Sequence, residues 1–191
     1  MSIEQNSQLT ARGSLQNKNI MQEYVVLVDA NDNPIGLMEK MEAHVKAELH
    51  RAFSIFIFNT KGEMLLQQRA FSKYHTPGLW TNTCCSHPRH EETLEQATAR
   101  RLQEEMGMQC KLEEIFHFTY KADVTQGLME HEIDHVFVGT TDDIPEINPE
   151  EVESYKYDTM ENIRLDIEKN PQNYTPWFKI AFAELLKHYN K

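Results

Sequence analysis

The feature that most limits the fold of this chain is one strong helix pattern with strand-forming segments on both sides of it. Residues 93–106, TLEQATARRLQEEM, are rich in good helix formers, and Gly107 directly after them is a typical C-terminal stop. Runs of β-branched and aromatic residues precede this helix, as in RAFSIFIFN at 51–59, and more follow it. The order predicts a mixed α+β domain in which strands dominate the middle.

The same patterns predict the remaining elements. Strands are predicted at 23–29, from the turn NDNPIG to about residue 40, at 51–59 and 63–70 as a hairpin, and at 111–121, 132–140 and 152–157. Two helices are predicted to close the chain, the last at 175–189. Residues 1–19 are rich in Ser, Gln and Asn, so they are predicted to form a flexible tail before one domain at 20–191.

Composition narrows the class of partner. Of the 191 residues, 40% are hydrophobic, which is enough for a packed core, and the formal net charge is −11. This charge argues against nucleic acid or an anionic membrane as a partner, but it allows a small anion held by a few local basic groups. The chain shows no signal-peptide pattern and no apolar run long enough to span a bilayer. A cytoplasmic location is therefore predicted.

Two of the three cysteines stand side by side in TNTCCSHP, residues 81–88. Adjacent cysteines rarely close a disulfide, and an odd number of thiols fits a reducing compartment. The segment has the composition of a loop rather than of a strand or a helix. Free thiols at Cys84 and Cys85 leave packing, metal binding and catalysis as open explanations.

One glutamate of the predicted helix points toward the interior. Placing successive residues 100° apart puts Glu105 close to Leu94 on the inward face, whereas Glu104 points away. A carboxylate on a buried face needs a partner. Two partners remain open, which are Arg101 one turn back and a divalent cation in the loop before the helix.

Three histidines and two glutamates form a further group of candidates. His44 and His50 precede the first long strand, and His87 follows the cysteines. Glu130 and Glu132 are two apart in a strand, so they share a face. Together these imidazoles and carboxylates can hold one divalent metal ion. Taken singly, each histidine is better explained as a surface or satisfied core group, and each glutamate as part of a solvated strand face.

The helix and the loop before it, SHPRHEETLEQATARRLQEEMGM, resemble a degenerate Nudix box, the signature G-x5-E-x7-R-E-U-x-E-E-x-G-U. The matching positions are Glu92, Arg100, Leu102, Glu104, Glu105, Gly107 and Met108. Ser86 replaces the first glycine, and Arg101 replaces the glutamate after the arginine. Because that glutamate helps to hold the metal in Nudix hydrolases, the resemblance implies the fold and argues against pyrophosphate hydrolysis.

Further segments resemble, in order, the diagnostic stretches of the type 1 isopentenyl-diphosphate delta-isomerases. They are LHRAFSIFIFN, LLQQRAFSK, WTNTCCSHP, YKADVTQGLMEHEIDHVF and TPWFKIA, and the resemblance runs from about residue 23 to the C-terminus. It implies a Nudix-like mixed sheet flanked by helices. It also implies a metal-dependent isomerase that interconverts isopentenyl diphosphate and dimethylallyl diphosphate through a carbocation-like state, in isoprenoid biosynthesis.

The resemblance also implies roles in proton transfer. An unactivated alkene is a weak base, so its isomerisation needs an acid, a base and a dry pocket. Cys85 and Glu132 match the two groups on opposite sides of the substrate, and Tyr120 matches the residue that relays the proton of Glu132. Which of Cys85 and Glu132 gives the first proton stays open. Cys84 matches a position without a chemical role, which implies packing.

Substrate and metal contacts are implied in the same way. Lys40, Arg69, Lys73 and Ser86 match contacts to the diphosphate, and Trp177 matches the aromatic that faces the hydrocarbon. Surface solvation of the basic residues and a plain core role for Trp177 remain alternatives. One tightly bound divalent ion, Zn, Mn or Mg, is expected on His44, His50, His87, Glu130 and Glu132. A Mg²⁺ ion that arrives with the diphosphate is expected at Glu105 and the region of Cys85.

The sequence leaves two other functions open. A Nudix hydrolase of another diphosphate would be favoured by an intact REUxEE run, which RRLQEE is not. A non-catalytic metal- or ligand-binding domain would tolerate replacement of Cys85. The sequence gives no indication of oligomeric state.

Overall fold

A computed structural model describes residues 23–73, 75–125 and 127–189, so the predicted tail at 1–19 lies outside the described residues. Within them, nine strands form one mixed sheet accompanied by four α-helices. The strands are β1 (Tyr24–Val28), β2 (Pro34–Glu39), β3 (His50–Phe58), β4 (Met64–Arg69), β5 (Trp80–Thr81), β6 (Cys84–Ser86), β7 (Leu112–Thr125), β8 (Leu128–Thr140) and β9 (Val152–Asp158). The helices are α1 (Lys40–Lys46), α2 (Leu94–Met106), α3 (Met160–Lys169) and α4 (Pro176–Tyr189). The predicted α+β class is confirmed.

The centre of the sheet is the parallel pair β3 and β8, which stays in register from His50 opposite Glu132 to Phe58 opposite Thr140. Strand β3 is a nearly continuous buried run because it is covered on both faces. Apolar residues of α3 and α4 pack on one face of the sheet, and those of α2 pack on the other. The two central strands therefore carry side chains from the core to the sheet end at His50 and Glu132.

The predicted hairpin at 51–59 and 63–70 is wrong in its pairing. Strands β3 and β4 share only the pair Phe58 and Met64, and β4 then pairs with β9. The two strands separate around Thr83, whose hydroxyl accepts from Ile57 N (3.0 Å) and donates to Leu65 O (2.7 Å). One buried side chain thus replaces the direct ladder and opens room for β6.

Strand β6 lies in the segment that the sequence predicted as a loop. It pairs antiparallel with β3, with Cys84 opposite Ile55 and Cys85 opposite Ser54. A three-residue strand between polar neighbours has too short a pattern to be recognised from sequence. Its alternation sends the side chains of the two cysteines to opposite faces of the sheet.

Helix α1 was not predicted, since the second strand was expected to continue to about residue 40. Strand β2 ends at Glu39, whose side chain accepts a hydrogen bond from Glu42 N and caps the new helix. Seven residues give little apolar periodicity to detect. The helix turns His44 inward, where it is buried.

The predicted helix at 93–106 is confirmed as α2. Thr93 and Gln96 form a capping box at its start, in which each side chain bonds the other residue's backbone N–H. Gly107 ends it with φ 64°, and a Cβ added there would meet Glu146 O at 2.5 Å, so this position requires glycine. The two closing helices are confirmed as α3 and α4. None of the helices in the described ranges has the length and hydropathy needed to cross a bilayer.

Candidate active site

The predicted site residues converge on one open cleft at the His50 and Glu132 end of the central strands. The predicted residues that line it are Lys40, His44, Arg69, Lys73, Cys85, Ser86, His87, Glu105, Tyr120, Glu130, Glu132 and Trp177. His50, which is fully buried, is the predicted residue that does not line it. The cleft therefore draws together residues that are more than 130 positions apart along the chain.

Four of these residues form a compact cluster. One ligand atom from each of His44, His50, His87 and Glu132 lies within 4.8 Å of the others. They come from four places: α1, the first residue of β3, the residue after β6, and β8. The centroids of the three imidazole rings are 5.0–5.7 Å apart. This density of nitrogen and oxygen donors is typical of a divalent metal site.

The backbone fixes which nitrogens face the cluster. His44 Nδ1 lies 2.6 Å from Lys40 O and His50 Nδ1 lies 2.8 Å from Glu48 O. A carbonyl oxygen only accepts, so both Nδ1 atoms carry the proton and both Nε2 atoms present a lone pair. His50 Nε2 is buried 3.4 Å from Glu132 Oε1, and nothing in the described part of the chain forms a hydrogen bond with it.

Converging lone pairs and a carboxylate repel one another unless a cation lies between them. Metal-bound histidines commonly donate their second N–H to a carbonyl or a carboxylate, as His44 and His50 do here. The donor set therefore fits a divalent ion held by imidazole and carboxylate. Glu130 falls outside the 4.8 Å cluster, although it was predicted as a fifth ligand.

The protonation states agree with this donor set. Burial lowers the pKa of His87 to about 4 and also lowers the pKa of His44, so both rings are neutral at pH 7. Burial alone would raise the pKa of Glu132, but the neighbouring His50 and His87 outweigh it and hold that pKa well below its usual range. Neutral imidazoles beside an ionised carboxylate are the forms that bind a metal ion.

Tyr120 joins the two predicted glutamates. Its hydroxyl lies 2.6 Å from Glu132 Oε2 and 2.9 Å from Glu130 Oε2, all three groups being buried. A hydroxyl has one proton to donate, so the second of these contacts needs a proton on a carboxylate. Burial and the charge of Glu132 raise the pKa of Glu130 well above its usual range, which makes Glu130 the protonated member. The three residues form a continuous path for a proton.

The two adjacent cysteines have different surroundings. Cys84 is completely buried and packs with α2 in the core, whereas the half-buried Cys85 lines the cleft. Both thiols are free. Burial raises the pKa of the Cys85 thiol, so it keeps its proton at neutral pH. The alternation of β6 thus assigns one thiol to packing and one to the cleft.

Glu105 has the protein partner that the sequence left open. Its carboxylate accepts from Arg101, one helical turn back, and from Gln67 Nε2 at 2.7 Å. Arg101 also lines the cleft and donates to Glu104 Oε2 at 2.8 Å. Sequence reasoning missed Arg101 as a cleft group and Gln67 as a partner of Glu105. The signal for Arg101 was present, because a basic residue stands where the Nudix box has a glutamate.

The predicted basic residues surround the cleft, and each has a neighbour. Lys40 pairs with Glu23 at 2.9 Å, and Lys73 pairs with Glu151. The guanidinium of Arg69 lies 5.2 Å from the centroid of the Trp177 ring. Arg69 Nε is buried, and no acceptor among the described residues reaches it. A buried cationic donor without an acceptor is ready for an anionic ligand.

Trp177 is buried at 4% exposure with one edge on the cleft. Its Nε1 donates to Thr81 Oγ1 at 3.1 Å, which fixes the ring orientation. His75, which sequence reasoning also missed, packs edge-on against this ring with centroids 5.7 Å apart. The wall formed by these residues combines an aromatic surface with the Arg69 cation.

The chain is similar to known proteins in sequence and in fold. The NUDIX domain family matches residues 48–178. An isopentenyl-diphosphate Delta-isomerase of Pectobacterium atrosepticum is 53% identical over 161 residues, which cover 84% of this chain and 90% of that protein. An isopentenyl-diphosphate Delta-isomerase of Serratia proteamaculans is 48% identical over 165 residues, which cover 86% of this chain and 92% of that protein. The chain belongs to the isopentenyl-diphosphate delta-isomerases of the Nudix family.

Solved structures agree on the fold of this isomerase. DR0079 from Deinococcus radiodurans superposes with a TM-score of 0.71 at 17% identity, covering 85% of this chain and 98% of that one. A MutT protein from Methanosarcina mazei Go1 superposes with a TM-score of 0.59 at 21% identity, covering 75% of this chain and 96% of that one. At such identities the likeness shows the fold alone. The predicted Nudix-like mixed sheet flanked by helices is confirmed.

Proposed function

We propose that the cleft is where this isomerase interconverts isopentenyl diphosphate and dimethylallyl diphosphate, a step of isoprenoid biosynthesis. The reaction is a 1,3-proton shift, in which the terminal alkene carbon gains a proton and C2 loses one. The observation that carries the proposal is that Cys85 and the Tyr120–Glu132 pair line the same cleft from different strands. Family membership supports the reaction, and the cleft supports the assignment of residues.

Proton transfer is assigned to Cys85 and Glu132. A neutral thiol and a carboxylate in contact with a phenol provide one donor and one acceptor in a partly enclosed space. Because the reaction is reversible, each group acts as acid in one direction and as base in the other. Tyr120 connects the protonated Glu130 to Glu132, so a proton that Glu132 gives to carbon can be replaced from Glu130.

The diphosphate is assigned to the basic side of the cleft. Arg69 and Arg101 offer forked donors, Lys40 and Lys73 offer point charges, and Ser86 adds a hydroxyl. Arg101 is an addition to the predicted set, because it lines the cleft where a Nudix hydrolase has a metal-holding glutamate. Substrate binding would exchange part of its contact with Glu105 for contacts to phosphate oxygens.

The hydrocarbon is assigned to the wall formed by Trp177. A tryptophan face stabilises a nearby cation by about 1–2 kcal/mol when water is excluded. The hydrogen bond from Trp177 Nε1 to Thr81 holds the ring in place, so this stabilisation needs no rearrangement as charge develops. The Arg69 guanidinium, 5.2 Å from the centroid of this ring, is assigned to the diphosphate end of the substrate.

A divalent metal ion is assigned to His44, His50, His87 and Glu132. Glu130 is assigned as a fifth ligand that would give up its proton when the ion binds. When bound, the ion lowers the pKa of a coordinated group and so tunes Glu132 as an acid–base residue. Zn, Mn and Mg remain the candidates, and a second Mg²⁺ is assigned to the diphosphate near Glu105. The location is proposed to be cytoplasmic, with residues 20–191 acting as one isomerase domain.

The test is incubation of the purified protein with isopentenyl diphosphate and Mg²⁺. The proposal predicts an acid-labile allylic diphosphate and no release of phosphate. Tyr120→Phe is the matched variant, since it keeps the ring and removes only the hydroxyl. Release of phosphate or pyrophosphate without an allylic product would replace the proposal by a hydrolase.

A further inference from the structure

A second group of histidine and glutamate side chains lies on the outer part of β7 and β8. One ligand atom from each of Glu114, His117 and His135 lies within 4.8 Å of the others. His117 and His135 are directly opposite in the antiparallel ladder, and their ring centroids are 5.2 Å apart. Glu114 Oε1 lies 2.7 Å from His135 Nδ1 and 3.8 Å from His117 Nδ1. Opposite residues of two strands make a rigid pair of ligands.

This cluster is separate from the catalytic cluster, by which we mean His44, His50, His87 and Glu132 at the cleft. Successive side chains of a strand point to opposite faces, so His135 faces away from Glu132 and Glu130 on β8. The pairing of Tyr120 with Glu132, and of His117 with His135, places the two sets on opposite faces of β7 as well. An ion bound at one set therefore shares no ligand with the other.

The second nitrogen of His135 is already oriented. His135 Nε2 lies 3.1 Å from Asp32 Oδ2 in the turn between β1 and β2. Asp32 is itself fixed by Arg51, whose Nε donates to Oδ1 at 2.8 Å and whose Nη2 donates to the Asp32 carbonyl at 2.5 Å. A carboxylate that accepts from the far nitrogen of a histidine is the usual support of a metal-bound imidazole.

The hydrogen-bond acceptors of this cluster also favour a bound cation. With Nε2–H donated to Asp32, His135 Nδ1 and Glu114 Oε1 are two acceptors that need a proton or a cation between them. A divalent ion would take the place of that proton and would gain His117, whose side chain is 60% exposed and accessible from solvent. Two imidazoles and one carboxylate would supply three ligands and leave one coordination position of the ion open for water.

We propose that Glu114, His117 and His135 bind a divalent ion of the Zn²⁺, Ni²⁺ or Cu²⁺ class on the face of the sheet opposite the catalytic cluster. Mixed imidazole and carboxylate donors favour these borderline metals over Mg²⁺. Through Asp32 the ion would connect β7 and β8 to the β1–β2 turn, so binding stabilises the folded chain.

The test uses the tag-free full chain and Zn²⁺, with bound metal counted per chain by equilibrium dialysis and elemental analysis. The wild-type chain should bind one more zinc ion than His117→Gln. His90→Gln, which changes another exposed histidine, should bind as many ions as the wild type. The site is refuted if His117→Gln keeps the additional ion, or if the wild type binds none beyond the catalytic cluster.

A second variant tests the support of His135. Asp32 has a positive φ of 63°, which asparagine also tolerates, so Asp32→Asn preserves the turn and removes the charge. It should weaken zinc binding at this site by about 10–100-fold and leave the catalytic ion in place. Unchanged affinity would mean that Asp32 and His135 form only a structural ion pair. These outcomes involve no substrate, so they are independent of the proposed isomerase activity.

Discussion

Replacing each of the adjacent cysteines by alanine should separate stability from activity. Cys84 is completely buried in the core beneath α2, whereas Cys85 lines the cleft. Cys84→Ala removes one buried sulfur and should cost about 1–2 kcal/mol of unfolding free energy, as loss of a core methyl or methylene group does. In a domain of this size that lowers the midpoint of thermal unfolding by about 2–8 °C.

Cys85→Ala removes an acid–base group, and such a group contributes about 10²–10⁴-fold to the rate. The loss corresponds to about 3–5 kcal/mol of transition-state stabilisation. Its effect on thermal unfolding should be smaller than that of Cys84→Ala, because Cys85 is only half-buried and touches the core from the cleft side. Substrate should also protect Cys85 from thiol alkylation.

The assay follows formation of the acid-labile allylic diphosphate, together with thermal unfolding of each variant. Cys84→Ala should keep much of the wild-type kcat and lose stability, whereas Cys85→Ala should lose kcat and keep stability. An inactive Cys84→Ala beside an active Cys85→Ala would show that the register of β6 is wrong.

Three further predictions concern metal, relay and pH. Protein purified without added metal should carry one divalent ion per chain, and His87→Ala should lose both ion and activity; a metal-free, fully active protein would contradict this. Tyr120→Phe should lower kcat by about 10²-fold or more with little change in KM, because it breaks the proton path between Glu130 and Glu132. An unchanged kcat would show that Tyr120 relays no proton. Burial lowers the pKa of His75 to about 3, whereas the unfolded value is about 6.5. The unfolded chain therefore binds the extra proton first, and unfolding free energy falls as the pH drops from 6.5 toward 3. His75→Gln should flatten this decline when unfolding free energy is measured by denaturant titration at several pH values. If the variant and the wild type lose stability in parallel as the pH falls, His75 is not the cause of the decline.

Features that depend on local pattern could be predicted from the sequence. The capped helix α2 follows from its composition and from Gly107. The shared face of Glu130 and Glu132 follows from the two-residue period of a strand, and both reach Tyr120. The spacing of His44, His50 and His87 does not specify a common site with these glutamates. Their grouping was predicted from the resemblance to a family.

Features that depend on long-range packing could not be predicted. Helix α1 has too few residues for a periodic signal, yet it places His44 in the cluster. Thr83 separates β3 from β4 by bonding both, which no local pattern of β-branched residues reveals. His117 and His135 meet only through the register of β7 and β8, which two irregularities shift.

The central claim is proton transfer at carbon, and incorporation of deuterium from solvent tests it most directly. In deuterated water, dimethylallyl diphosphate should carry deuterium in the methyl group derived from the terminal alkene carbon. Longer incubation should label C2 of isopentenyl diphosphate through the reverse reaction. Glu132→Gln preserves shape and removes an ionisable group, so labelling should fall steeply. Release of phosphate with an unlabelled carbon skeleton would contradict the account.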